Sequence, residues 1–367
     1  MRIAVVRPGH ALSTLFVSAG LEEGLKSIGV EVDEVRTERL IAMQSLVVTQ
    51  FWDKYEKLGH TPIEIAQHAG LEQVLARLLY LEYDLILLVN GRLFSPQIMR
   101  GFDKLPGPKV VWLKESPYED EWQRHFVDHF DFAFVNDKVS VPVMNEVVPS
   151  VYLPHSYDPE TFMRIERQQN IDVFFCYTAF NNRVPVVDQL SSSGLKCVLP
   201  KAGTVYDESS GITGVSFVPP ERVAHFYNTS KICLNVHRTE KLYGSGEQIT
   251  QAYSLGPRAY EIAACGAFQL SDNTRPELTE VFGDTVATYD NPDDIVEQCR
   301  YWLDPARDKQ RVEMGLASME RVRECTYAHR AAQVVKQLAQ WYNQPEWLIQ
   351  SGEAEHEKDT QPALQNN

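Results

Sequence analysis

The sequence predicts an α/β protein made of two Rossmann-like, doubly wound halves in tandem. Three observations predict it. Short apolar runs alternate with stretches of helical periodicity, several of those runs are apolar almost throughout, and the pattern restarts past the midpoint of the 367 residues. A continuous apolar run suits a parallel strand covered by helices on both faces. Strand–helix alternation suits a doubly wound sheet, and the length leaves room for two domains.

The first strand is RIAVV (2–6), followed by a Gly/Pro turn and by LFVSAGLEEGLKSIG, whose apolar residues recur at helical spacing up to Gly29. VEVDEV (30–35), YDLILLVN (83–90), KVVWL (109–113), DFAFVN (131–136) and VYLP (151–154) are the next strands, and residues 1–155 make the N-terminal domain. Pro, His, Tyr, Asp and Pro break any period around 154–159, so residues 156–170 read as a hinge. IDVFFCY (171–177), LKCVL (195–199), KICLNV (231–236) and AFQLS (267–271) then form the sheet of a C-terminal domain, 171–325. Residues 291–345 read as two or three helices, and 326–350 include the last of them. SGEAEHEKDTQPALQNN (351–367) has almost no apolar content and reads as a disordered tail.

Bulk properties narrow the function classes. The N-terminal apolar run meets Pro8 and Gly9 at once and is too short for a signal peptide, and no apolar run reaches the ~20 residues of a membrane span; a cytoplasmic protein is expected. Six cysteines without a C-x-x-C pair are expected to be buried thiols. A net charge of −15 repels nucleic-acid polymers and anionic membrane surfaces, yet leaves room for a small anion in a local basic pocket.

The most informative stretch is SLGPRAYEIAACGAFQLSD (254–272). Pro257 suits the first turn of a helix, Arg258 to Cys265 continue it, and Gly266 is placed to end it. The unpaired N–H groups of such a first turn make a seat for a diphosphate. Arg258 and Glu261, three residues apart, share a face: the first can neutralise a phosphate, the second can accept hydrogen bonds from vicinal ribose hydroxyls. The competing reading is an ordinary i,i+3 surface ion pair.

Other candidates sit at strand ends. His10, after Pro8-Gly9, is a candidate general base or hydrogen-bond partner of a bound ligand. Glu115, just beyond VVWLK, faces the cleft of a parallel sheet and is a candidate general base for a bound hydroxyl. His155 reads as a structural hydrogen-bonding residue. The sequence has no D-x-D clamp, no His/Cys/Asp cluster with metal spacing, no G-x-G-x-x-G after the first strand and no Walker loop. No metal is therefore assigned, and a dehydrogenase or NTPase is disfavoured.

The run PRAYEIAACGAFQLSD, with LNVHR before it and TYAHRA after it, resembles glycosyltransferases of the GT-B fold, within them the CgeB-like (spore-maturation protein) group related to retaining family 4. YTAFNNRV (177–184), YLPHSYDPETF (152–162) and VVWLKESPYEDE (110–121) extend the resemblance over most of 83–335. It implies two Rossmann-like domains facing across a cleft, with C-terminal helices around WYNQPEW (341–347) crossing back onto the first. It also implies a metal-independent, retaining hexosyl or pentosyl transfer from a nucleotide-diphosphate sugar, a UDP-sugar above all, to an unidentified acceptor. Glu261 matches the ribose-binding second carboxylate of the family's Glu-x7-Glu pattern. Thr178 and Arg183 belong to the loop that meets the diphosphate, with Arg258 as a further contact, and His237 and Arg238 end a strand lining the donor site. Tyr253, which the resemblance also places at the donor site, stands at the first Glu position, a departure that Glu247 does not repair at its own spacing. Two alternatives stay open: a non-catalytic module that binds a nucleotide sugar or glycan, and a phage-type enzyme acting on a modified DNA base.

Overall fold

The structure is a computed structural model and describes residues 1–9, 12–91, 93–178, 180–199, 218–241, 249 and 251–350. His10, Glu247 and the 351–367 segment lie outside the described residues.

Six parallel strands form the first sheet: β1 (Arg2–Val6), β2 (Glu31–Val35), β3 (Leu85–Val89), β4 (Lys109–Leu113), β5 (Phe132–Val135) and β6 (Ser150–Tyr152), in the order β2-β1-β3-β4-β5-β6. Successive side chains alternate between two buried layers. Ala4, Val6, Ile86, Leu88, Val111 and Leu113 enter one apolar cluster, while Ile3, Val5, Leu85, Leu87, Val110 and Trp112 enter the other. Both faces being covered, the inner strands β1, β3, β4 and β5 read as continuous apolar runs. Arg7, beyond β1, is held by the buried Glu22 of the helix Leu12–Ser27, with Nε donating to Oε1 at 2.9 Å and Nη2 to Oε2 at 2.5 Å. This fork fixes the helix against the strand end.

The second sheet is also parallel, in the order β11-β10-β9-β7-β8, with β7 (Ile171–Phe174), β8 (Cys197–Val198), β9 (Ser230–Asn235), β10 (Gln269–Asp272) and β11 (Ala287–Tyr289). β11 was not expected: three residues, one of them exposed, carry too little apolar pattern to stand out. Strands read from apolarity also ran long. Cys176 continues the apolar run of β7 but has left the ladder and lines the cleft. Residues 36–82, left without elements by the sequence, hold the helices Thr37–Gln50 and Pro62–Tyr80, the latter opened by a Thr61–Glu64 capping box.

The region after β11 holds the helices Ile295–Leu303, Asp308–Arg321 and Tyr327–Trp341. The last crosses back: Tyr327, Ala331, Val334, Val335 and Leu338 pack into the cluster of Ile3, Val5 and Trp112 under the first sheet. Val334, Val335 and Leu338 are fully buried there, each worth roughly 1.5–3 kcal/mol. Glycine makes the docking possible, because a Cβ on Gly20 would overlap the Tyr327 ring and one on Gly24 the Tyr327 carbonyl. The outward crossing runs beside the return: Tyr157 N–H donates to Cys325 O and Tyr327 N–H to Tyr157 O, both at 3.2 Å.

Among the described cysteines none forms a disulfide, and Cys176, Cys233, Cys265 and Cys299 are buried. Among the described residues no helix is long and apolar enough to cross a membrane.

Candidate active site

A cleft of about 1110 Å³ opens between the carboxyl ends of the two sheets, where parallel α/β folds place their ligands. Its second-domain wall is the helix Pro257–Ala264. Gly256 caps this helix in an extended conformation, and a Cβ there would meet nothing within 4 Å, so the space before the first turn is open. Gly266, at φ +60°, ends the chain's helical course as expected, its N–H donating to Ala263 O at 2.8 Å. The helix itself stops at Ala264 with Cys265 as its cap, one residue short of the expected end.

Arg258 and Glu261 both line the cleft. Each is partly accessible from the cleft yet walled in by protein on the other sides. Burial pushes the Glu261 carboxyl up to about 7, and Arg258 opposes this only through its charge, with no hydrogen bond between them. A surface pair would hold the carboxyl low instead. Arg183, just before the helix Val184–Ser192, reaches the same cleft with Nε donating to Val236 O at 2.9 Å. Burial first, and then the positive charge of Arg258, push its guanidinium down to about 9. Against the cost of burial, the Arg258 guanidinium is itself held charged by Cys176, Tyr227 and Glu261. Two cations beside an open helix start make a site for a multivalent anion.

Thr178 and His237 line the cleft as well. His237 is fixed from below, its backbone N–H and Nδ1 both on the Asp272 carboxylate, the latter at 3.0 Å. Burial alone would raise Asp272, but His237 and Thr274 hold it well below the usual carboxylate range. This pins the ring at the end of β9 with Nε2 3.4 Å from Asn235 Nδ2.

The remaining assignments change. Tyr253 is corrected: it does not line the cleft. Its hydroxyl is on Glu280, and the Lys138 ammonium lies 4.5 Å from its ring centre. The cause is Asp137, whose carboxylate accepts the backbone N–H groups of Tyr253 and Ser254 at 3.0 Å each and so turns the Tyr253 side chain outward. Arg238 lines the cleft but is engaged across it by first-domain carboxylates, Glu115 at 3.0 Å and Glu119 at 3.5 Å, with the Tyr118 ring 4.2 Å below the guanidinium. Glu115 therefore faces the cleft as expected but as an ion-pair partner rather than a free base.

The sequence missed the residues that latch and line the first-domain side. Asp137 follows β5, Tyr118 donates to Arg238 O, and Arg275 reaches both Tyr118 and Arg238 O. Lys114, beyond β4, also lines the cleft, as does His155 beyond β6, which the sequence singles out only as a structural hydrogen-bonding residue. Their position at parallel strand ends was the available signal. Among the described residues no three His, Cys, Asp or Glu side chains converge as a metal site requires.

Residues 183–336 match the family described as "Glycosyl transferase-like". The spore protein CgeB of Bacillus subtilis (strain 168) is 27% identical over 97 residues, a stretch covering 26% of this chain and 29% of that protein. Among solved structures, sucrose-phosphate synthase from Thermosynechococcus elongatus aligns over 94% of this chain and 99% of its own at TM-score 0.58 and 13% identity. Trehalose-6-phosphate synthase OtsA aligns over 92% and 99% at TM-score 0.59 and 8% identity. The DNA-modifying enzyme β-glucosyltransferase aligns over 92% and 99% at TM-score 0.59 and 11% identity. The fold is GT-B, with two parallel sheets across a cleft and a terminal helix returning to the first.

Proposed function

We propose that this chain is a metal-independent glycosyltransferase that moves a sugar from a nucleotide-diphosphate donor, a UDP-sugar by preference, to an acceptor held by the first domain. The observation that carries the reading is the convergence of Arg183, Arg258 and Glu261 on the open start of the helix Pro257–Ala264. The donor diphosphate rests against that helix start with the two guanidinium groups beside it. As the glycosidic bond breaks, charge grows on the diphosphate, and preorganised N–H groups and arginines stabilise it there. Glu261, one turn deeper, accepts the ribose hydroxyls. The GT-B fold and the family match over 183–336 support this reading. Calorimetric titration with UDP-glucose tests it: Glu261→Ala and Arg258→Ala each bind at least about tenfold more weakly than the wild type, the loss of charge-assisted hydrogen bonds. Unchanged affinity in both variants refutes the donor placement.

A second reading is favoured by a specific observation. Tyr253 carries a phenol in place of a carboxylate and is turned out of the cleft, and Glu115 is held by Arg238, so neither position offers a free carboxylate to the transferred sugar. A module that binds the donor without transferring sugar has this arrangement. Release of UDP from UDP-glucose by the purified protein separates the two, since the inert module releases none. Retention or inversion follows from the anomeric configuration of the product.

A further inference from the structure

We infer that Lys114 is the anion-recognising group of the acceptor side, so that the acceptor carries a phosphate or carboxylate. The residue follows β4 directly, lines the cleft and is only 6% exposed. Among the described residues it makes no hydrogen bond and no ion pair; Glu115 acts on it through charge alone and is itself paired with Arg238. Burial pushes its ammonium down to about 8, so it is still mostly protonated at pH 7. A buried ammonium with three unused donors is costly unless something completes it.

Two polar residues that line the same cleft, Asn136 and His155, have their acceptors engaged. Asn136 Oδ1 accepts the Ser116 N–H at 3.0 Å, which turns Asn136 Nδ2 toward His155 Nε2 at 3.3 Å. Burial and the charges of Lys114 and Arg330 keep His155 neutral, with its ring pushed down to about 3. With Nε2 accepting, the ring proton sits on Nδ1, and that buried N–H has no partner. Asp137, the nearby carboxylate, is committed to the Tyr253, Ser254 and Val139 N–H groups. The position is therefore positive, unpaired and open to the cleft. It lies on the first-sheet wall, across the same cleft from Arg183 and Arg258.

The inference rests on the proposed function only for the name acceptor; the anion seat stands without it. The test uses the full chain with UDP saturating the donor side, titrated with inorganic phosphate and, separately, with acetate. One of these anions binds saturably to the wild type, and binding weakens by about tenfold or more in Lys114→Met, the loss of one charge-assisted pair. Lys114→Gln gives the same loss and serves if the Met variant does not fold, while Lys114→Arg retains part of the affinity. UDP affinity is the same in wild type and variants. Phosphate and acetate distinguish a phosphorylated from a carboxylated acceptor. Repeating the titration in Arg258→Ala without UDP isolates the site should the donor reading fail. Saturation by neither anion, or affinity unaltered by both Lys114→Met and Lys114→Gln, overturns the inference.

Discussion

Arg238 Nη1 lies 3.0 Å from Glu115 Oε2, and the two side chains come from opposite sheets. Their side chains are 11% and 17% exposed, so the pair is largely desolvated. The carbonyl of the same arginine accepts hydrogen bonds from Tyr118 and Arg275. The pair thus joins the domains beside the cleft. Glu115→Gln and Arg238→Met should each lower the melting temperature, and the double variant should fall by less than their sum. The interaction energy in that cycle should reach about 1–3 kcal/mol. Strict additivity in thermal unfolding would remove the pair as an interdomain contact.

Asp137 is the second latch. Burial pushes its carboxyl up to about 6 while it accepts N–H groups from Tyr253 and Ser254. In Asp137→Asn one oxygen becomes a donor facing those N–H groups. About 1–3 kcal/mol of stability should be lost at pH 8, together with donor affinity, because residues 253–256 lead into the helix Pro257–Ala264. Chemical denaturation at pH 8 and UDP-glucose titration measure both.

Glu261 makes donor binding pH-dependent. Its folded value of about 7 stands above the ordinary 4.5, so the carboxylate is complete only above pH 7. UDP-glucose carries no phosphate proton that titrates in this range, so its affinity should fall as pH drops from 8 to 6. Glu261→Gln should be weak and flat across that interval. The linkage has the opposite sign for stability: burying this charge costs more as pH rises from 4.5 to 7. Without ligand, Glu261→Gln should therefore melt above the wild type at pH 8, by something on the order of 1 kcal/mol, and converge with it below pH 4.5. A variant less stable than the wild type at pH 8 would contradict this account.

The Arg7–Glu22 fork is a structural counterpart. Glu22 is fully buried, and Arg7 also faces Glu34 and Glu38 at 3.2 and 3.5 Å. Arg7→Ala leaves an uncompensated carboxylate in the interior and should cost about 3–5 kcal/mol. Replacing both by Met and Leu should recover much of that loss in urea denaturation.

Gly24→Ala probes the returning helix. The added methyl meets the Tyr327 carbonyl, so Tyr327–Trp341 must shift away from the first sheet. Hydrogen exchange should quicken in residues 327–341 before it quickens in β3, with a stability loss of about 1–3 kcal/mol. Equal protection in wild type and variant would mean the helix tolerates the displacement.

Parts of this molecule are legible in the chain because local physics writes them. Continuous apolar runs mark parallel strands covered on both faces, which is why β1 and β4 were bounded to the residue. Pro257 and Gly266 punctuate the donor helix through backbone constraints that act within one turn. Other elements lack such a signature. β11 is three residues long, and the helix Thr37–Gln50 leaves Met43 and Leu46 exposed at 60% and 74%, blurring the two-faced pattern that marks a helix.

What the sequence by itself determined is the α/β class, the tandem sheets, the short helix with Arg258 and Glu261 on one face, and the return of the last helix. These follow from periodicity, turn chemistry and family likeness, all carried within short stretches of chain. Only the tertiary structure decided which charges are spent and which are free. Arg238 and Glu115 neutralise each other across 123 residues of sequence, Asp137 turns Tyr253 out of the cleft, and Lys114 is left buried without a partner. The physical reason is that desolvation and ion pairing depend on what the other domain brings to within a few ångströms, and no local pattern encodes that.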